Sequence, residues 1–340
     1  MKLAVNLLAR DAVVLAEAAE ALDYDLVLAP EGYRNDAVSV LGLVAGRTRR
    51  IGLGSAVMQI PARPPATAAL TAATLDSLSQ GRFRLGLGLS NPDVSEGWYG
   101  VPFARPLGRT REYVEIVRAA LRGGPVTYQG EHFALPPANR SAAPLHLYAE
   151  GYRSDLPIYL GAVGPRNLRL AGEIADGWLG VFTSPDGVRD AVAEIGRGRA
   201  ERGLGLEGFE VIPSLPTAVS DDVIEAAAQL RRQYCYLMGI GDSDTNFYCE
   251  LARRFGYGDA VERMIAHLGK DDRAAAEAAV PAEFIDMTGL IGSQERIAGR
   301  MKEYAAAGVT TLSIMVSATA TTTEGRLRVL ETCAKAAQSW

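Results

Sequence analysis

The sequence predicts an α/β protein, a (β/α)8 TIM barrel with insertions. Short apolar runs alternate with helical patterns of roughly ten to fifteen residues, the rhythm of a parallel sheet with crossover helices. Eight strand candidates begin at Leu3, Asp25, Arg50, Arg82, Pro157, Gly177, Phe209 and Thr310. The chain has 340 residues, and barrels of this type run from ~200 to more than 400. A doubly wound open sheet is the alternative. Eight βα units with room for insertions favour the barrel. We expect one domain over 1–340, with insertions at about 91–155 and 221–285.

The elements follow in order. Residues 3–8 form an apolar strand, and a helix runs over 11–22 with Asp11 placed to cap it. Residues 25–29 are strand-like and stop at Pro30; 37–45 read as a helix and 50–58 (RIGLGSAVM) as a third strand. An Ala/Thr/Leu helix over 64–78 ends at Gln80-Gly81, a usual C-terminal stop. A fourth strand occupies 82–90 (RFRLGLGLS). Residues 91–107 are rich in Gly, Pro, Trp and Tyr and too long for a plain βα loop, and long loops are usually functional or mobile. A helix over 109–121 and a hairpin over 126–135 precede a second irregular stretch, 136–155. Order returns with strand 157–163, helix 165–175, strand 177–182, helix 188–202 and strand 209–219. Residues 221–270 are mostly helical; 284–290 lead into a helix over 294–307, strand 310–316 and a last helix over 324–337.

Composition narrows the function classes. The net charge of −5, without long Lys/Arg blocks, argues against nucleic acid or an anionic membrane as partner. Cys235, Cys249 and Cys333 show no CxxC spacing and read as reduced thiols. His132, His146 and His267 stand apart, so no metal site is expected. There is no signal-peptide pattern and no apolar run long enough to span a membrane. We expect a cytoplasmic homodimer acting on a small-molecule or peptide substrate.

Barrel sites form at the C-terminal ends of the strands. Here those ends are Pro30-Glu31-Gly32-Tyr33, Ser55-Ala56-Val57-Met58, Leu89-Ser90-Asn91, Ala162-Val163-Gly164-Pro165 and Phe182-Thr183-Ser184. They hold no histidine, paired carboxylates or metal cluster, so hydrolytic chemistry is poorly supplied. Small side chains and backbone suit a redox cofactor that carries the chemistry itself. Residues 161–165 (GAVGP) at a strand-to-helix turn can cradle a phosphate, with backbone N–H groups and a helix N-terminus facing it; a turn without a ligand is the plain alternative. Gly86-Leu87-Gly88 is not a dinucleotide fingerprint, and close packing of the barrel wall explains it better.

The segment 81–88 (GRFRLGLG), preceded by 69–80 (ALTAATLDSLSQ) and 50–57 (RIGLGSAV), resembles the luciferase-like monooxygenase superfamily, especially its coenzyme F420 (deazaflavin) dependent reductases. Residues 24–33 (YDLVLAPEGY) are similar to that family's second strand, 157–179 to its phosphate turn, helix and sixth strand, and 292–315 to its closing unit. The resemblance covers most of the chain outside the two insertions.

It implies a set of roles. Ala56-Val57 falls where many members carry a non-proline cis peptide behind the central cofactor ring, Leu89, Ser90 and Asn91 where the ring edge is contacted, and Ala162, Val163, Gly164 and Pro165 at the cofactor phosphate. Glu31 matches an acidic residue ending strand two. The family often has a histidine next, and Gly32 stands there instead, so Glu31 or Tyr33 would serve as proton donor or acceptor. Asn91 stands where some sugar-oxidising relatives have glutamate, which disfavours that substrate class. Trp98 and Tyr99 are candidates for the substrate wall; Tyr234, Tyr236, Phe247 and Tyr248 read chiefly as packing within the second insertion. Arg63 either faces an acidic cofactor tail or is a solvated charge.

The implied function is an F420-dependent oxidoreductase that moves a hydride between reduced deazaflavin and an activated C=C, C=N or C=O. The Ala-, Arg- and Gly-rich composition fits a high-GC genome and a setting in specialised metabolism. An FMN-dependent monooxygenase is the rival enzyme, and a non-catalytic barrel without cofactor is the third reading.

Overall fold

The computed structural model describes residues 1–32, 35–138, 141–316 and 322–339. All eight expected strands form: β1 (Lys2–Asn6), β2 (Leu26–Ala29), β3 (Gly52–Ser55), β4 (Phe83–Gly88), β5 (Ile158–Gly161), β6 (Gly177–Val181), β7 (Glu210–Val219) and β8 (Thr311–Met315). Their hydrogen-bonded order is β7-β8-β1-β2-β3-β4-β5-β6, and β6 also pairs with β7, which closes the ring of a (β/α)8 barrel. Every residue of β2 and β3 is buried, as strands covered on both faces require.

The chain divides into two compact units. The first comprises Met1–Asn6, Val181–Arg189 and Pro213–Trp340. In it β1 and β7 flank β8 in parallel, Leu3 opposite Leu312 and Ser214 opposite Ser313. Asn6 closes β1 and donates from Nδ2 to Oγ of Ser214 at 3.1 Å and of Ser313 at 2.7 Å, so this buried amide is partnered. The second insertion folds into helices joined by loops: Val223–Met238, Phe247–Arg254, Gly258–Leu268, Arg273–Ala279 and Ala282–Thr288. Asp222, Asn246 and Asp272 cap three of these helices. Tyr234 is fully buried, its ring edge-on to Phe182 at 4.6 Å and to Phe284 at 5.6 Å. Of the expected aromatic cluster, Tyr234 sits in this core with Tyr248 packed at its edge, while Tyr236 and Phe247 are half-buried.

The second unit comprises Leu7–Gly180 and Asp190–Ile212. The glycines of β4 are there for contact: a Cβ on Gly86 would lie 1.9 Å from the Ser55 carbonyl oxygen, and one on Gly88 2.4 Å from Val57 Cγ2. The hairpin forms between Tyr128–Gln129 and Ala134–Leu135. The irregular stretch after it is anchored at its end by Arg153, whose Nη2 lies 2.7 Å from the fully buried Asp76.

Local expectations shift in four places. Asp11 stands at the N-cap of helix Ala12–Ala21, yet its side chain makes no capping bond. Pro92–Gly97 is a helix inside a stretch read as irregular, because Asn91 caps it and Pro92 suits its first position. The following helix begins at Pro106 rather than 109 for the same proline reason. A short strand, Leu290–Gly292, pairs with β7 and was too brief to show as a period. The three cysteines are free and buried. Among the described residues no helix is long and apolar enough to cross a membrane.

Candidate functional site

The strand ends of the second unit bring most of the expected residues together. Ala56-Val57 is a non-proline cis peptide, at the position the resemblance assigned. The Val57 side chain fills the space that Gly88 and Gly161 leave: a Cβ on Gly161 would stand 3.1 Å from Val57 Cγ1. Larger residues at either glycine would displace this bulge from behind. Ser55 holds the base of the turn, its Oγ donating to the Gly86 carbonyl at 2.8 Å and accepting the Gly86 N–H at 3.0 Å.

Leu89, Ser90 and Asn91 follow β4 and are half-buried. Ser90 has φ of 66°, a left-handed conformation that costs a non-glycine residue of order 1 kcal/mol or more and concentrates at functional sites. Asn91 uses Oδ1 to accept the Val94 N–H at 2.8 Å. Its acceptor atom therefore serves a helix cap, and its amide N–H₂ is the part left for a ligand.

The turn after β5 has the form of an anion cradle. Gly164 is the N-cap of helix Pro165–Ile174, with φ −76° and ψ 156°, and no side chain caps this helix. A Cβ on Gly164 would meet nothing within 4 Å. The space beside the Gly164 Cα is thus open, at a helix N-terminus where the dipole favours negative charge. Behind the turn, Trp178 of β6 is buried and donates Nε1–H to the Ala162 carbonyl at 2.8 Å. Trp178 is a positioning residue that sequence reasoning missed, since a tryptophan in a buried strand looks like core.

Glu31 lies two residues past the end of β2, and three donors engage its carboxylate. Arg63 reaches it with Nη2 to Oε1 at 2.6 Å and Nη1 to Oε2 at 3.0 Å, and the Gln59 N–H adds a bond to Oε2 at 2.9 Å. Side-chain exposures of 5% for Glu31 and 16% for Arg63 place this pair out of bulk water. Burial pulls on the Arg63 guanidinium, but the bonds and charge of Glu31 outweigh it and raise its pKa. Arg63 is therefore tied to Glu31, and Tyr113 donates to the Arg63 carbonyl at 3.0 Å. Tyr99 is half-buried, and burial with the charge of Glu31 raises its pKa, so it remains a neutral phenol. Trp98 is 64% exposed. Tyr33 lies outside the described residues.

Residues 7–311 match the model of luciferase-like monooxygenases. The chain belongs to this family. A Mycobacterium tuberculosis protein provisionally named a coenzyme F420-dependent oxidoreductase is 37% identical over 310 residues, covering 88% of this chain and 89% of that protein. A 5,10-methylenetetrahydromethanopterin reductase from Archaeoglobus fulgidus is 30% identical over 298 residues, covering 86% and 85%. Among solved structures, the coenzyme F420-dependent tetrahydromethanopterin reductase of Methanopyrus kandleri superposes with a TM-score of 0.84 at 24% identity, over 98% of this chain and 97% of that one. An F420-dependent secondary alcohol dehydrogenase holding an F420–acetone adduct gives 0.77 at 18% identity, over 99% of each chain.

Within this luciferase-like barrel the turn at Gly164 is open, uncapped and backed by a buried tryptophan, features that suit an anion. Trp178→Phe should keep the barrel while leaving the Ala162 carbonyl unpaired, a cost of about 1–2 kcal/mol. Cofactor affinity should fall severalfold as the turn loosens. Thermal unfolding and a cofactor titration check both; unchanged affinity would make Trp178 plain core.

Proposed function

We propose that this protein is an F420-dependent oxidoreductase. The open, uncapped turn at Gly164 carries the reading, together with the F420-dependent relatives that cover nearly the whole chain. The backbone of Ala162, Val163 and Gly164, with Pro165 opening the helix, would hold the cofactor phosphate. Ala56 and Val57 would back the ring, and Leu89, Ser90 and the Asn91 amide would meet its edge. When bound, the deazaflavin supplies the hydride chemistry.

The protein's own residues then bind, orient and manage the proton. The substrate class we assign is an organic compound with an activated C=N, C=O or C=C bond. The named relatives include a methylenetetrahydromethanopterin reductase and an alcohol dehydrogenase holding an acetone adduct, which speak for the first two. Glu31 is surrounded by donors, so we assign it the task of fixing Arg63. Tyr33 and the phenol of Tyr99, the latter within the field of Glu31, are the hydroxyls left to handle the proton. Trp98, exposed at the C-cap of helix Pro92–Gly97, would cover substrate from the solvent side. A homodimer in the cytoplasm remains the assembly and place we propose.

Titration with F420 and with FMN, followed by absorbance and fluorescence, tests the cofactor. F420 should bind in the micromolar range, about −8 kcal/mol, and FMN far more weakly. Tight binding of FMN alone would move the protein to the monooxygenases. Binding of neither would leave a barrel without cofactor.

A further inference from the structure

Asn6 is the last residue of β1, at the end of a strand where barrel enzymes place their chemistry. Its Nδ2 donates to the Ser313 hydroxyl on β8 at 2.7 Å and to the Ser214 hydroxyl on β7 at 3.1 Å. β8 lies between β1 and β7, with Ala4 opposite Ser313 and Ser313 opposite Ser214. A side chain of β1 spans β8 to reach β7 only on the concave side of a curved sheet, so the trio lies inside the barrel. Asn6 keeps 8% of its surface open and Ser214 5%, whereas Ala4, Val5 and Leu7 are fully buried. No hydrogen bond to Oδ1 of Asn6 forms among the described residues, and this atom is not sealed. One end of the amide is thus held by two serines, and the other is left to meet a ligand.

Serine hydroxyls both donate and accept. The two serines can therefore hold the amide either way round, so that it offers C=O or N–H₂. Hydride addition to the carbon of a C=O or C=N bond moves the π pair onto the heteroatom. That atom takes up a proton and ends as O–H or N–H, and the reduced deazaflavin is left oxidised. The N–H₂ end suits the heteroatom as it becomes electron-rich, and the C=O end suits the product. We propose that Asn6 contacts the substrate and hydrogen-bonds this heteroatom, with Ser214 and Ser313 as positioning residues. The proposal rests on the oxidoreductase reading above. An amide has no proton to give near neutral pH, so the proton comes from another group.

The test follows oxidation of reduced F420 by a panel of ketones, aldehydes and cyclic imines, and takes the compound that wild type reduces best. Asn6→Ala should lower kcat/KM about a hundredfold, the scale of one preorganised donor at a reacting oxygen. Its affinity for F420, read by fluorescence titration, should not change. Asn6→Asp has the same shape but cannot donate when ionised, and should fall further. Ser313→Ala should fall less, in kcat more than in KM. Unchanged kcat/KM in a folded Asn6→Ala, or a loss of F420 affinity in it, overturns the role and leaves the F420 reading intact. If both Asn6 variants fail to fold, Ser313→Ala decides, and unchanged kcat/KM there overturns the role. F420 binding without reduction of any compound overturns the substrate class and this role together. Failure of wild type to bind F420 overturns the reading beneath them.

Discussion

Replacing Gly164 with Asp should abolish F420 binding while leaving the barrel as stable as before or slightly more so. The two effects have opposite signs for one reason. Gly164 is an N-cap with ordinary negative φ and no neighbour within 4 Å of a would-be Cβ, so aspartate fits without strain. As an N-cap, Asp accepts from the first helical N–H groups and adds a few tenths of a kcal/mol over glycine. The same carboxylate occupies the donors that a phosphate needs and sets a like charge against it, which costs several kcal/mol. A loss of about 4 kcal/mol corresponds to roughly a thousandfold in affinity. Cofactor titration beside thermal unfolding reads both. Near wild-type affinity in a folded variant would show that the phosphate is held elsewhere.

The second large effect belongs to Glu31. Glu31→Gln removes the nearer and more buried of the two carboxylates beside a guanidinium only 16% exposed, Asp36 standing 3.9 Å away. Breaking one side of a buried pair costs about 3 kcal/mol or more, a large part of the ~5–15 kcal/mol that holds a domain. Arg63→Met should cost a similar amount, and the double variant much less than the sum, since the partners share one interaction. Turnover per folded molecule should stay within about tenfold of wild type, because general acid–base partners are worth ~10²–10⁴. A larger fall in kcat with a displaced pH profile would make Glu31 the proton-transfer group instead. Denaturant unfolding of the four proteins, with kcat measured on each, separates these outcomes.

Much of this site was legible along the chain because it is local. The phosphate turn needs only a strand end, two small residues and a helix start, all contiguous at 161–165. Positions such as Ser90 could be named by their place at a strand end, but not the left-handed backbone found there. The pairing of Glu31 with Arg63 lies between residues 32 positions apart. The sequence offered proton transfer as a role for Glu31 and, separately, a solvated charge or a tail contact for Arg63. Only packing joined the two. Trp178 was silent for a related reason, since its indole N–H finds the Ala162 carbonyl only across neighbouring strands.

By itself, then, the sequence determined the eightfold βα rhythm, the family and the turn that suits a phosphate. These rest on hydrophobic period and short contiguous motifs, which act within a few residues. The tertiary structure decided which charges neutralise each other and which side chains back the cis peptide. Such contacts depend on how helices and strands far apart in the chain are packed side by side.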